Sequence, residues 1–125
     1  MALLLSVSSG LFMSHAQCRQ SCPSLTADDG WTLARVMEGG GRQGIASDGE
    51  YYYVSGSTAL YKYRKDGELV RSDIDPFRSL ELSANHIGDI DVYNGEIYAG
   101  IETFIDGVGQ NIQVAVYDAE TLEWK

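Results

Sequence analysis

Basic residues are scarce in this chain: nine Lys and Arg stand against eighteen Asp and Glu in 125 residues, a formal net charge of −9. A surface of that sign repels phosphate backbones, so nucleic acid is excluded as an expected partner. Long apolar runs are lacking too. The longest apolar stretch, Ala2 to Met13, is shorter than the roughly 20 residues that cross a bilayer, so no transmembrane segment is expected. Helix formers are nowhere gathered into long periodic stretches. No Gly-rich phosphate loop occurs, because Gly39-Gly40-Gly41 precedes neither a Lys-Ser/Thr pair nor a helix. Ser55-Gly56-Ser57 lacks the flanking pattern of a nucleophile elbow.

Cysteine and proline are rare too, with two of each. Cys18 and Cys22 lie in Cys-Arg-Gln-Ser-Cys, without a further Cys nearby to finish a tetrahedral zinc site, and His15 is expected to be lost with a signal peptide. Their spacing is not that of a two-residue redox motif. A small disulfide or an inert pair is the expectation, and lipid attachment at Cys18 lacks the Leu and small residues of a lipobox. The apolar stretch before them ends in Ser14-His15-Ala16, with small residues at the −3 and −1 positions of a cut before Gln17. That pattern predicts a signal peptide over 1–16, although no Lys or Arg precedes it, followed by a linker carrying the Cys pair over 17–30. Export to a secreted, periplasmic or extracellular location follows from it.

What the chain has in quantity is tyrosine (eight) and glycine (fourteen). With Val and Ile, such residues favour strands and tight turns. Two segments repeat. Gly44-Ile45-Ala46-Ser47-Asp48-Gly49-Glu50-Tyr51-Tyr52-Tyr53-Val54-Ser55-Gly56 is answered by Gly88-Asp89-Ile90-Asp91-Val92-Tyr93-Asn94-Gly95-Glu96-Ile97-Tyr98-Ala99-Gly100. Asp-Gly and Asn-Gly between alternating runs are strong hairpin signals. Each copy continues into a third strand ending in Tyr, over Ala59–Tyr63 and Val114–Tyr117, then a polar turn and the start of a fourth strand. Gly49 and Gly95 are taken as equivalent, 46 residues apart, within the range of propeller blade repeats. The second copy is expected to carry a longer loop from Thr103 through Gln110. Trp31–Val36 reads as a strand, and Val70–Ile74 as the fourth strand of the first copy.

Four short antiparallel strands per repeat make a propeller blade. The phrases Leu60-Tyr61-Lys62-Tyr63 with Asp66-Gly67-Glu68-Leu69, and Val114-Ala115-Val116-Tyr117-Asp118 with Thr121-Leu122-Glu123, resemble those of six-bladed lactonase-like and quinoprotein-like propellers. The resemblance covers roughly 31–125 and implies an all-β partial propeller of antiparallel four-stranded blades, about two copies in an incomplete ring, with blades at 43–77 and 86–125. Propellers have four to eight blades. The expectation is therefore an N-terminal piece of a longer ring, or a module that closes a ring by self-association.

In propellers of this kind, ligands and metals gather where the chain enters each innermost strand. That points to Gln43 in the first blade and to His86, Asp89 and Asp91 in the second. Asp89 and Asp91 are two apart on a strand and share a face. With His86 they form a carboxylate–imidazole set suited to Ca²⁺, or to a His general base of the lactonase sort. Aspartates there also serve simply as acceptors for backbone N–H groups. The Glu that opens the first blade of the gluconolactonase group is replaced by Gln43. Glu102, at the end of the second strand, is a more distant candidate that reads chiefly as a solvated residue. The leading expectation is a binding or interaction protein for a small molecule or protein; the alternative is a secreted lactonase- or esterase-like hydrolase using a channel metal.

Overall fold

Strand and turn chemistry set down in the repeats is realised almost throughout. The structure, a computed structural model that describes residues 32–81 and 83–125, is all-β with two antiparallel sheets. Among the described residues seven strands form: β1 (Gly44–Ser47), β2 (Tyr51–Gly56), β3 (Ala59–Arg64), β4 (Leu69–Asp73), β5 (His86–Tyr93), β6 (Glu96–Ile105) and β7 (Val108–Asp118). Sheet 1 has the order β1-β2-β3-β4 and sheet 2 the order β5-β6-β7. All seven lie in the compact unit Met37–Lys125. Among the described residues there is no helix. Residues 1–31, with the expected signal and Cys18 and Cys22, lie outside the described residues.

Sheet 2 has three strands, and the start of a fourth stands where it was expected: Trp124 bridges Tyr117, and the Lys125 N–H donates to the Val116 carbonyl at 3.0 Å. Two expectations are corrected. Residues 32–36 form no strand. Thr103–Gln110 is no loop. β6 and β7 run on through it, paired Thr103 to Gln110 and Ile105 to Val108, and turn at Asp106-Gly107. Both turn residues have positive φ (52° and 81°), as a two-residue hairpin turn with right-handed twist demands.

The register also corrects the alignment of the two repeats. Tyr63 pairs with Tyr52, and Tyr52 with Ser47. Tyr117 pairs with Ile97, and Ile97 with Val92. Starting from the matching third-strand tyrosines, the equivalent residues of the first hairpins are thus 45 apart, and Gly49 and Gly95 are out of step by one. Their turns differ. Asn94 and Gly95 both have positive φ between the paired Tyr93 and Glu96. In the first repeat only Gly49 does, and the Asp48 carboxylate accepts the N–H groups of Glu50 and Tyr51 at 2.8 and 2.7 Å.

A slip of one residue reverses every side chain on a strand, so this matters for the faces. The row Ser47–Tyr52–Tyr63 turns away from the space between the sheets, which takes Ala46, Tyr53 and Leu60. The equivalent row Val92–Ile97–Tyr117 turns into that space. The two sheets therefore stack in the same sense, opposite faces of the repeat in contact. They do not meet by like faces.

Tyr53, Leu60, Ile87, Ile97, Ile101, Tyr117 and Leu122 are fully or almost fully buried between them, each contributing about 1.5–3 kcal/mol by removal from water. The crossover from β4 to β5 adds Phe77, Leu80 and Ala84 to this core. At β1 and β5 the sheets come closest: a Cβ on Gly44 would lie 2.4 Å from Asp89 Oδ1 and 2.7 Å from the Ile90 nitrogen. Two hydrogen bonds join the sheets there, Ser55 Oγ to the Gly88 carbonyl and the Ile87 N–H to the Ser57 carbonyl, each 2.8 Å.

Candidate functional site

The candidate residues lie on β5 and just ahead of β1, and a bulge in β5 decides where His86 points. Counting outward from the pair Tyr93–Glu96, a regular ladder would set His86 opposite Thr103 and turn it toward the core. Instead Ile90 pairs with Ala99 but Ile87 with Ile101, so Gly88 and Asp89 together oppose Gly100. A bulge of this kind re-aims the side chains beyond it. Ile87 is thereby buried, and His86 turns outward opposite Glu102.

His86 Nδ1 lies 2.8 Å from Glu102 Oε1, with both side chains about one-fifth exposed. The Phe104 ring lies 5.3 Å from the imidazole. Asn85 anchors the same strand end by two hydrogen bonds with the Phe104 backbone, and Thr103 Oγ1 donates to the Ser83 carbonyl. Gly109, across the ladder, leaves the room that Glu102 occupies: a Cβ there would sit 1.8 Å from Glu102 Oε2. Glu102, read from sequence as solvated, is thus the carboxylate partner of His86. Only the bulge brings it there, and the facing glycines Gly88 and Gly100 are the one trace of the bulge in the sequence.

Asp89 and Asp91 both face away from the core, as their spacing predicts. Each carboxylate accepts the next residue's N–H, Ile90 at 3.0 Å and Val92 at 2.8 Å. Gln43 donates its side-chain amide to Ser57 Oγ at 2.9 Å. Gln43 and Asp89 both reach a cavity of about 630 Å³ on the outer face of sheet 1, walled by Met37, Ile45, Tyr52, Val54 and Tyr63. The segment Met37–Arg42 borders it, pinned where the Gly40 N–H donates to the Tyr63 hydroxyl at 2.7 Å. His86, Asp89 and Asp91 are not drawn to one point. Among the described residues no group of three or more His, Cys, Asp or Glu is placed to hold a metal ion.

A second polar cluster went unread in the sequence. Lys62 is buried between the sheets, its ammonium bound to the Glu120 carboxylate and 4.2 Å from the Tyr51 ring centre. Tyr53, beside it, donates to Asp48 Oδ2 at 2.8 Å, and burial together with that bond pushes its phenol well above the usual range. The Leu-Tyr-Lys-Tyr alternation signals a strand but does not tell which face is covered.

No family model matches this chain, and no curated protein matches it either.

Proposed function

We propose that the chain is an exported binding protein built from propeller-type blades, whose inner-strand ends meet the ligand and which has no catalytic activity of its own. The observation that carries this reading is the stacking of the two sheets in the same sense. Blades around a ring each turn one face to the preceding blade and the other to the next; in support, the equivalent Tyr63 and Tyr117 lie on opposite sides, Tyr117 in the shared core and Tyr63 outside it. Two sandwiched sheets related by a twofold would bury like faces. The closest approach at β1 and β5 also fits blades converging on their innermost strands.

The second reading, a lactone or ester hydrolase with a channel metal, is favoured by the His86–Glu102 pair. A carboxylate orienting an imidazole is a general-base arrangement, although Glu102 is the partner in place of Asp89. Turnover of short-chain lactones and esters, measured with Ca²⁺ and with EDTA, separates the two. Background turnover in wild-type protein and in His86→Ala alike is expected, with a melting temperature unmoved by Ca²⁺. Turnover that is well above background and lost in His86→Ala would establish the hydrolase. Export is checked by the mass of protein recovered outside a secreting host, which should begin at Gln17.

A further inference from the structure

Because the sheets stack in the same sense, the two faces that have no sheet against them among the described residues are the positional equivalents of the two that already meet. Ile45, Tyr52 and Val54, on the outer face of sheet 1, are the equivalents of Ile90, Ile97 and Ala99 by the 45-residue step. Ile90 is 6% exposed and Ile45 65%. On the outer face of sheet 2, Tyr98 stands where Tyr53 stands in sheet 1. Pairing from Tyr117 and Tyr63 likewise sets Val114 in the place of Leu60 and Val116 in that of Lys62. Leu60 is 1% exposed and Val114 68%. Tyr53 and Leu60 share one buried core with Ile90, Ile97 and Ala99.

We propose that a second copy of this chain docks head to tail, seating the Tyr98–Val114–Val116 face of its sheet 2 in the groove of Ile45, Tyr52 and Val54 on sheet 1. The inference rests on the blade reading above and names the partner of that scaffold. Its template is the interface inside the chain, repeated between chains. The exchange of residues suits a docking face: the buried ammonium of Lys62 is replaced by the methyl groups of Val116, so no cation is desolvated. Asp91 takes the place of Ala46, and the groove it approaches is lined by Arg42 together with the acids Glu38 and Asp89, so the contact rests on its apolar residues and not on charge. Such an interface joins unlike patches, so it builds rings or open chains and never an isolated twofold dimer. Each copy adds two sheets; three or four copies reach the six or eight blades of a closed propeller.

The test is sedimentation velocity on the wild-type protein and on two outer-face variants, Ile45→Glu and Val114→Glu, with circular dichroism to confirm that each folds. Wild type should sediment as a ring or chain of several copies, and each variant alone as a monomer. An equal mixture of the two should form a dimer and nothing larger, because each contributes the one face that the other lacks. Wild type that stays monomeric up to about 100 μM, well above the micromolar range of ordinary specific interfaces, overturns the proposal. So does a dimer of Ile45→Glu alone, or a mixture that stays monomeric. None of these outcomes alters the turnover result, which judges the binding reading separately.

Discussion

Tyr63 and Tyr117 hold the same place in their two sheets, yet Tyr63 points out under the Met37–Arg42 segment while Tyr117 points into the shared core. Both spend their hydroxyl on the backbone leading into their own sheet. Tyr63 accepts from the Gly40 N–H, and Tyr117 donates to the Pro76 carbonyl at 3.2 Å.

Substitution of the pair should therefore give different symptoms. Tyr117→Ala empties a fully buried site and is expected to cost about 3–5 kcal/mol of global stability. Tyr63→Phe removes one hydrogen bond, worth about 1 kcal/mol, and frees the Gly40 amide. Urea denaturation measures the first effect. Hydrogen exchange at Gly40 measures the second, and should quicken without comparable loss elsewhere.

Gly44 sets how closely the sheets approach. Its replacement by Ala puts a methyl group against the Asp89 carboxylate and the Ile90 backbone, and backbone cannot rotate aside. Overpacking of this kind costs about 1–3 kcal/mol. Gly49→Ala meets no atom within 4 Å, but Gly49 has a φ of 96°. It should cost less than Gly44→Ala and leave the sheet contact intact. Thermal melts of the two variants side by side check the order.

For Lys62 and Glu120 the prediction runs against simple counting of ion pairs. Glu120 is largely exposed while Lys62 is 2% exposed. Glu120→Gln leaves an ammonium buried without its carboxylate and should destabilise by more than the 0–1 kcal/mol of a surface pair. Lys62→Met, which keeps the stem volume and removes the charge, should lie within about 1.5 kcal/mol of wild type. Chemical denaturation of both variants would show whether that order holds.

Stability should fall at both ends of the pH range. The Asp48 carboxyl is raised somewhat by burial but lowered more by the N–H groups of Tyr51 and Glu50 and the Tyr53 hydroxyl; Asp118 is lowered by its bonds to Thr121 and Glu120. Carboxyls held low when folded contribute above their unfolded pKa near 4, and the contribution is lost as pH falls through the folded value. Asp48→Asn should make the acid limb shallower. Tyr117 is pushed up to about 12, by burial first and then by the charge of Asp73. Its contribution is complete below the unfolded value near 10 and disappears as pH rises through about 12. Urea midpoints between pH 9 and 12 should fall less steeply in Tyr117→Phe.

Much of the backbone was legible in the sequence. Asp48-Gly49, Asp66-Gly67 and Asn94-Gly95 mark turns through chemistry that acts over two or three residues, and the alternation of Tyr53, Ser55, Leu60 and Lys62 marks strands. The faces were harder to read. Gly49 and Gly95 look equivalent as letters but differ by one in register, because an aspartate-capped loop and a two-residue turn spend their residues differently. The Asp106-Gly107 turn was legible in principle and hidden by the polar run Gly109–Asn111 after it. His86 with Glu102 was not legible, since the two lie sixteen positions apart in the chain and their meeting depends on one extra residue at Gly88–Asp89.

Same-sense stacking has a consequence for ancestry as well as for shape. A pair of like faces is used up once it has met, and a third sheet would need a new surface to rest on. Here the free face of sheet 1 is the positional equivalent of the covered face of sheet 2. Under the docking proposed above, a duplicated stretch of gene would lengthen the stack through positions already used for the contact, and a deleted one would leave two ends that still match.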